Sequence, residues 1–278
     1  MMNWIYSALT GLACGLCEPS PLSADAHRAL LRYFFGTEND NPLLLLMCHA
    51  AVLAVVLGVG QLELRSLHRT AKRLRSGSRR RAIHTNLNHE GTLRLLRQIM
   101  IPAVIGRLVS GYFGFVGSRI WMLAIALFVS GIALWLPSLF RTGNRDGRHL
   151  SPIDGLILGA GVLTAAVPGF SPVGMVLALC SIRCIHRSYA LRTAWLLLCT
   201  GLVGAIGLDL LTLIGSGFSL DLQAVLSALL GATFAALGTF LSIHAMRALY
   251  RPGRNKSDNF CFYNWGLALL CIALFLLV

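Results

Sequence analysis

Apolar and polar stretches alternate along the chain in two distinct ways. Six apolar stretches, at about 43–62, 95–115, 118–140, 193–214, 222–245 and 260–278, are long enough for a full span. Each has roughly the 20 residues that an α-helix needs to cross a hydrocarbon layer about 30 Å thick. Two others, 1–35 and 151–186, are interrupted midway. Pro19 and Pro21 break the first, and "AVPGFSPVG" (166–174), with Pro168, Gly169, Pro172 and Gly174, breaks the second. Proline removes a backbone donor and glycine frees the backbone, so neither stretch continues as one straight helix. Broken backbone at membrane depth survives only where protein or a watery cavity surrounds it. The pattern predicts an all-α polytopic membrane protein, a single integral domain of six spanning helices plus two re-entrant helical hairpins that line a site.

Composition agrees. The chain is 56% hydrophobic and 13% charged, with a mean hydropathy of +0.70, whereas soluble domains carry about 25% charged residues. Positive charge then fixes orientation. The runs 65–81, 141–149, 183–192 and 247–256 hold 8, 3, 3 and 4 Lys or Arg, and with Arg94 and Arg97 they account for 20 of the 24. If both interrupted stretches return to the side they entered from, all four runs share one face, as the positive-inside rule requires. A basic cytoplasmic loop is expected at 63–92. The net charge of +13 is read as topology plus affinity for anionic lipid, with no nucleic-acid module beside it. The first hairpin opens opposite to the second, so the halves, about 1–115 and 151–245, read as an inverted repeat. Such repeats gather binding sites near the midplane. The N-terminus lacks a basic n-region and is read as structural rather than as a cleavable signal.

Ionisable residues at membrane depth are functional candidates by default. Glu18, Ser23, Asp25 and His27 fall on the first hairpin and Ser171 at the tip of the second. Glu18, followed by Pro-Ser-Pro, has few purely structural uses there, although an interfacial position facing water is the plainer alternative for it and for His27. Arg107 interrupts "IPAVIGRLVSGYFGF"; it faces a cavity, a carboxylate or a lipid phosphate, or else snorkels to the interface. Arg28 directly follows His27, and helical neighbours point about 100° apart, so the two do not aim at one target. His49 and His244 are single histidines on apolar helices, expected to satisfy a neighbouring helix. Trp4, Trp121, Trp135, Trp195 and Trp265 read as interfacial anchors. The eight cysteines read as small hydrophobes, Cys14-Gly-Leu-Cys17 included.

The segments "CGLCEPSPLSADAH" (14–27) and "PGFSPVG" (168–174) resemble E-G-x-T-E-x-x-P-x-S-S-T-G-H and P-G-x-S-R-S-G. These are the signatures of the undecaprenyl-diphosphatase family, the bacitracin-resistance phosphatases of bacterial cell membranes. "IPAVIG" (101–106) and "GAIGLD" (204–209) are similar to two further family segments, so the resemblance covers nearly the whole chain. It implies hydrolysis of undecaprenyl diphosphate, a polyprenyl diphosphate lipid, to the monophosphate carrier used in peptidoglycan and cell-wall synthesis. It also implies a divalent cation, Mg or Ca, and a site facing the outer side of the membrane. Position by position it assigns catalytic roles to Glu18, Ser23, His27 and Ser171, with Glu18 also holding the metal, and places Gly169 and Gly174 in the phosphate-binding segment.

Departures from the signatures are substantial. Cys14 stands for the first glutamate, Ala24 for the second serine, Asp25 for the threonine, Ala26 for the glycine and Pro172 for the arginine. Transition-state charge on a phosphoryl group needs a cationic clamp, which proline lacks. Arg107 is the candidate to replace it in substrate binding, and Asp25 to restore the carboxylate lost at position 14. The alternative is an impaired homologue that binds or transports the carrier lipid; a generic small-solute transporter has only the architecture in its favour. A homo-oligomer is left open.

Overall fold

The computed structural model describes residues 2–37, 41–75, 87–140, 143–216, 221–251 and 259–277. In chain order its helices are α1 (Met2–Cys17), α2 (Ala24–Phe35), α3 (Pro42–Val59), α4 (Gln61–Arg75), α5 (Leu87–Leu108), α6 (Gly114–Ser118) and α7 (Ile120–Trp135), then α8 (Pro152–Leu163), α9 (Pro172–Ile182), α10 (Arg187–Gly215), α11 (Leu222–Leu249) and α12 (Asn259–Leu277). Six stretches among the described residues are long and apolar enough to cross a membrane: Pro42–Val59, Leu87–Ser118, Ile120–Leu139, Arg187–Gly215, Leu222–Leu249 and Asn259–Leu277. They coincide with the six stretches read from the sequence.

Both interrupted stretches fold back as hairpins. In the first, α1 packs against α2, and Tyr6 near the start of α1 meets Phe35 at the end of α2 with ring centroids 5.3 Å apart. In the second, Asp154 at the start of α8 accepts from Arg183 just beyond α9 at 2.7 Å. The two ends of each hairpin thus lie side by side, the geometry a re-entrant element requires. Helix α1 settles on α11 through small residues: a Cβ at Gly11 would lie 2.0 Å from the Gly231 carbonyl oxygen, and one at Gly15 2.2 Å from that of Ala235. Only glycine lets the two backbones approach so closely.

Each break must satisfy its own freed carbonyls, because no bulk water is available to do so. Ser242 on α11 donates to Leu16 O at 2.9 Å, Trp195 on α10 donates through Nε1 to Pro19 O at 3.0 Å, and Ser171 donates to Ser20 O at 2.8 Å. The Gly169 amide returns a bond to Ser23 Oγ at 3.1 Å. Gly169 has φ +107°, and a Cβ there would sit 2.6 Å from that of Ala126, so the tip needs glycine on both counts. The two breaks therefore clasp one another in the protein interior. Trp195, expected as an interfacial anchor, is buried and holds the first break instead.

The basic segments gather at one end. Glu63 on α4 reaches His89 on α5 at 3.5 Å and Arg192 on α10 at 3.9 Å. The Thr92 and Tyr189 hydroxyls meet at 2.7 Å, and Arg145 N donates to Cys184 O at 3.1 Å. This is the end that the positive-inside rule expects to face the cytoplasm. The expected basic loop 63–92 is largely helical where it is described: α4 carries its charges to Arg75 and α5 begins at Leu87, while 76–86 lie outside the described residues. The reason is local, since α4 combines an amphipathic pattern with Glu63 in its first turn and Lys72, Arg73 and Arg75 in its last, which complements the helix dipole.

Candidate functional site

The first break delivers Glu18 into the interior, where its side chain is only 2% exposed. Arg107, from the C-terminal end of α5, answers it: Nη2 donates to Oε1 and Oε2, both at 2.7 Å. Nη1 of the same guanidinium lies 3.6 Å from Asp25 Oδ2, and Asp25 also pairs with Arg28 one turn along α2. The snorkelling alternative for Arg107 is therefore not the one adopted. On the other side of Glu18 stands His49 of α3, its Nε2 3.9 Å from Oε1, beyond hydrogen-bond reach. His49 Nδ1 bonds Asp209 of α10 at 2.6 Å. Three carboxylates, two guanidinium groups and an imidazole from five separate segments thus converge.

The cluster borders a chamber of about 230 Å³ lined by Asp25, Arg28, His49, Arg107, Ser110 and Asp209, with Thr212 and the apolar Pro42, Leu45, Ala205 and Leu208 at its wall. Pro42 begins α3, Arg107 and Ser110 lie at and just beyond the end of α5, and Thr212 lies in the last turn of α10. Each of these helices has its opposite end among the basic segments. The chamber consequently lies toward the end of the bundle opposite the basic segments.

Other expected site residues are employed differently. His27 shares α2 with Asp25 and Arg28 but is rotated away from the chamber. Its Nδ1 bonds Ser23 O and its Nε2 bonds Tyr263 OH on α12, both at 2.6 Å. The 100° step between neighbours does separate Arg28 from His27, and Arg28 is the one that lines the chamber. Ser23 Oγ accepts from the amides of Ala26 at 3.2 Å and Gly169 at 3.1 Å. Ser171 Oγ accepts from the Gly174 amide at 3.1 Å while donating to Ser20 O. These hydroxyls cap α2 and α9 and tie the hairpins together, and the amides of Gly169 and Gly174 are engaged within the same clasp rather than offered to a phosphate. Glu18 as a metal ligand fits no better. Both its oxygens are taken by Arg107, and among the described residues no three His, Cys, Asp or Glu side chains converge as a metal site. The guanidinium stands where a cation on Glu18 would stand, so no step below is routed through a metal.

Sequence reasoning missed three members of the cluster. His49 was expected only to satisfy a neighbouring helix, which it does through Asp209. Asp209 appeared merely as the end of "GAIGLD", although an aspartate inside an apolar span is itself a signal. Arg28 was set aside for its proximity to His27. The other single histidine, His244, bonds the Phe240 carbonyl of its own helix at 2.7 Å.

A six-span helical membrane protein with two clasped hairpins and an ion-paired chamber at their crossing is the class that this geometry defines. Comparison with known proteins makes it particular. The model of the bacitracin resistance protein BacA family matches residues 7–270, and the chain belongs to that family. It is 26% identical over 266 residues to an undecaprenyl-diphosphatase of Syntrophotalea carbinolica, covering 95% of this chain and 96% of the relative. It is 23% identical over 274 residues to one of Carboxydothermus hydrogenoformans, covering 98% of each, and 25% over 264 residues to one of Halothermothrix orenii, covering 95% of each.

Proposed function

We propose that this chain removes the terminal phosphate of undecaprenyl diphosphate at the outer face of the bacterial plasma membrane, leaving the monophosphate carrier lipid. The observation that carries this reading is the pair of guanidinium groups, Arg107 and Arg28, held in a chamber inside an otherwise apolar bundle. Buried cations of this kind suit an anionic head group whose tail stays in lipid. Guanidinium forks match phosphate oxygens in bidentate fashion.

The carboxylates fix the geometry. Glu18 and Asp25 hold both guanidinium groups in place before substrate arrives, so little reorganisation is left for the reaction itself. Developing charge on the transferred phosphoryl group then meets Arg107, the cation that makes good the absent motif arginine at Pro172. Apolar wall residues lower the local polarity and strengthen each electrostatic contact. The cluster is complete within one chain, so this activity requires no second copy.

Phosphate release from C55 diphosphate by the purified protein in mixed micelles tests the reading. Wild type is expected to turn over, and Arg107→Ala to lose about 10³-fold or more in kcat/KM, the scale on which an arginine at a phosphoryl group acts. A folded wild-type protein that binds the lipid and releases no phosphate refutes it.

A further inference from the structure

One ring nitrogen of a histidine that lines the chamber has no hydrogen-bond partner. His49 is 3% exposed, and its Nε2 makes no hydrogen bond. Its other nitrogen is fixed: Asp209 Oδ2 at 2.6 Å is a carboxylate acceptor, so Nδ1 carries the proton and Nε2 is left with an open lone pair. An apolar helix that orders an imidazole through a buried aspartate and then leaves the second nitrogen unpaired, on a residue that lines the chamber, accepts the cost of an unsatisfied polar atom. This is the arrangement in which an aspartate orients a histidine for proton transfer. By contrast, His27, the histidine that the motif resemblance favours, has both nitrogens engaged, by Ser23 O and Tyr263 OH.

The geometry points to His49 as the general base of the hydrolysis, with Asp209 as its positioning residue. The inference rests on the reading that this chain hydrolyses a polyprenyl diphosphate. Water gives a proton to His49 Nε2 while its oxygen forms a bond to the terminal phosphorus. The bond from that phosphorus to the bridging oxygen breaks, and its electron pair leaves on the carrier monophosphate. The proton passes from His49 to the departing inorganic phosphate, and the imidazole is regenerated neutral. Arg107 and Arg28 face the phosphoryl oxygens throughout. The titratable and charged groups around the imidazole are Asp209 from α10, Glu18 from the first break, Asp25 and Arg28 from α2, and Arg107 from α5.

Turnover of C55 diphosphate by the full chain in mixed micelles, with kcat, KM and the pH–rate profile measured together, tests this. His49→Ala is expected to lower kcat about 10²- to 10⁴-fold with KM within a few-fold of wild type, and added imidazole to restore part of the loss. His49→Gln, which keeps most of the volume, is expected to abolish the acid limb of the profile in its residual activity. Asp209→Asn is expected to lower kcat by favouring the wrong tautomer, with the acid limb displaced and KM little changed. A folded His49→Ala protein with wild-type kcat overturns the inference, as does a His49→Gln profile whose acid limb matches wild type, and both leave the hydrolase reading standing. Absence of turnover in wild type overturns that reading and the inference with it.

Discussion

Replacing Arg107 with Met, Glu18 with Gln, and both together measures how strongly the cluster is coupled. The pair is almost fully buried, with side chains 7% and 2% exposed and both carboxylate oxygens 2.7 Å from Nη2. At an effective dielectric of about 20, unit charges roughly 4 Å apart attract by about 4 kcal/mol. Stripping one partner from such a pair typically costs about 3–5 kcal/mol, because the other charge is left buried and uncompensated. The two single variants should not be equal. Without Glu18, Arg107 retains Asp25 at 3.6 Å, whereas without Arg107 the Glu18 carboxylate faces His49 Nε2 at 3.9 Å, beyond hydrogen-bond reach. Arg107→Met is therefore expected to destabilise more than Glu18→Gln. The double variant leaves neither charge stranded and should be milder than the sum of the singles by about 2–3 kcal/mol. Unfolding in detergent micelles, followed by denaturant titration of all four proteins under one condition, gives the cycle. Additive losses, or a Glu18→Gln variant worse than Arg107→Met, would refute the account of Arg107 as shared between two carboxylates.

Two further outcomes follow from the packing and from the basic end. Gly15→Leu, which would drive a side chain into the Ala235 backbone, is expected to cost more than the 1–3 kcal/mol of ordinary overpacking and to lower the yield of monodisperse protein, while Gly58→Leu, with open space around its Cβ position, stays near wild type by the same size-exclusion measurement. Burial by itself would raise the carboxyl pKa of Asp154, but the Ser151 amide, the guanidinium groups of Arg145 and Arg183 and the Ser151 hydroxyl outweigh it and hold the group below the usual carboxylate range. The stability this contributes is complete above the ordinary carboxylate value of about 4 and is lost as pH falls through the depressed one. Asp154→Asn should cost roughly 1.5–3 kcal/mol near neutrality and flatten the acid side of a melting-temperature profile against pH.

Spans, hairpins and the gathering of the basic segments at one end were legible because each rests on a one-dimensional signal: run length, proline position, or the sign of charge. Glu18 and Arg107 were also legible, as charges that an apolar segment has no cheap way to hide. Their pairing, 89 residues apart, was not, since nothing local specifies which buried carboxylate a distant guanidinium meets. The hydroxyls of Ser23 and Ser171 show the opposite failure. A serine before a helix is both a cap and a candidate phosphate ligand, and only the facing hairpin, supplying Gly169 N to one and Ser20 O to the other, decides between them. His49 was undervalued for a similar reason: its significance lies in what Nε2 lacks.

Because Glu18 and Asp25 already neutralise the two arginines, the chamber carries no stranded positive charge of its own. Each guanidinium has five N–H donors and the carboxylates do not use them all, so an arriving lipid phosphate can bind without dismantling the ion pairs that hold the arginines.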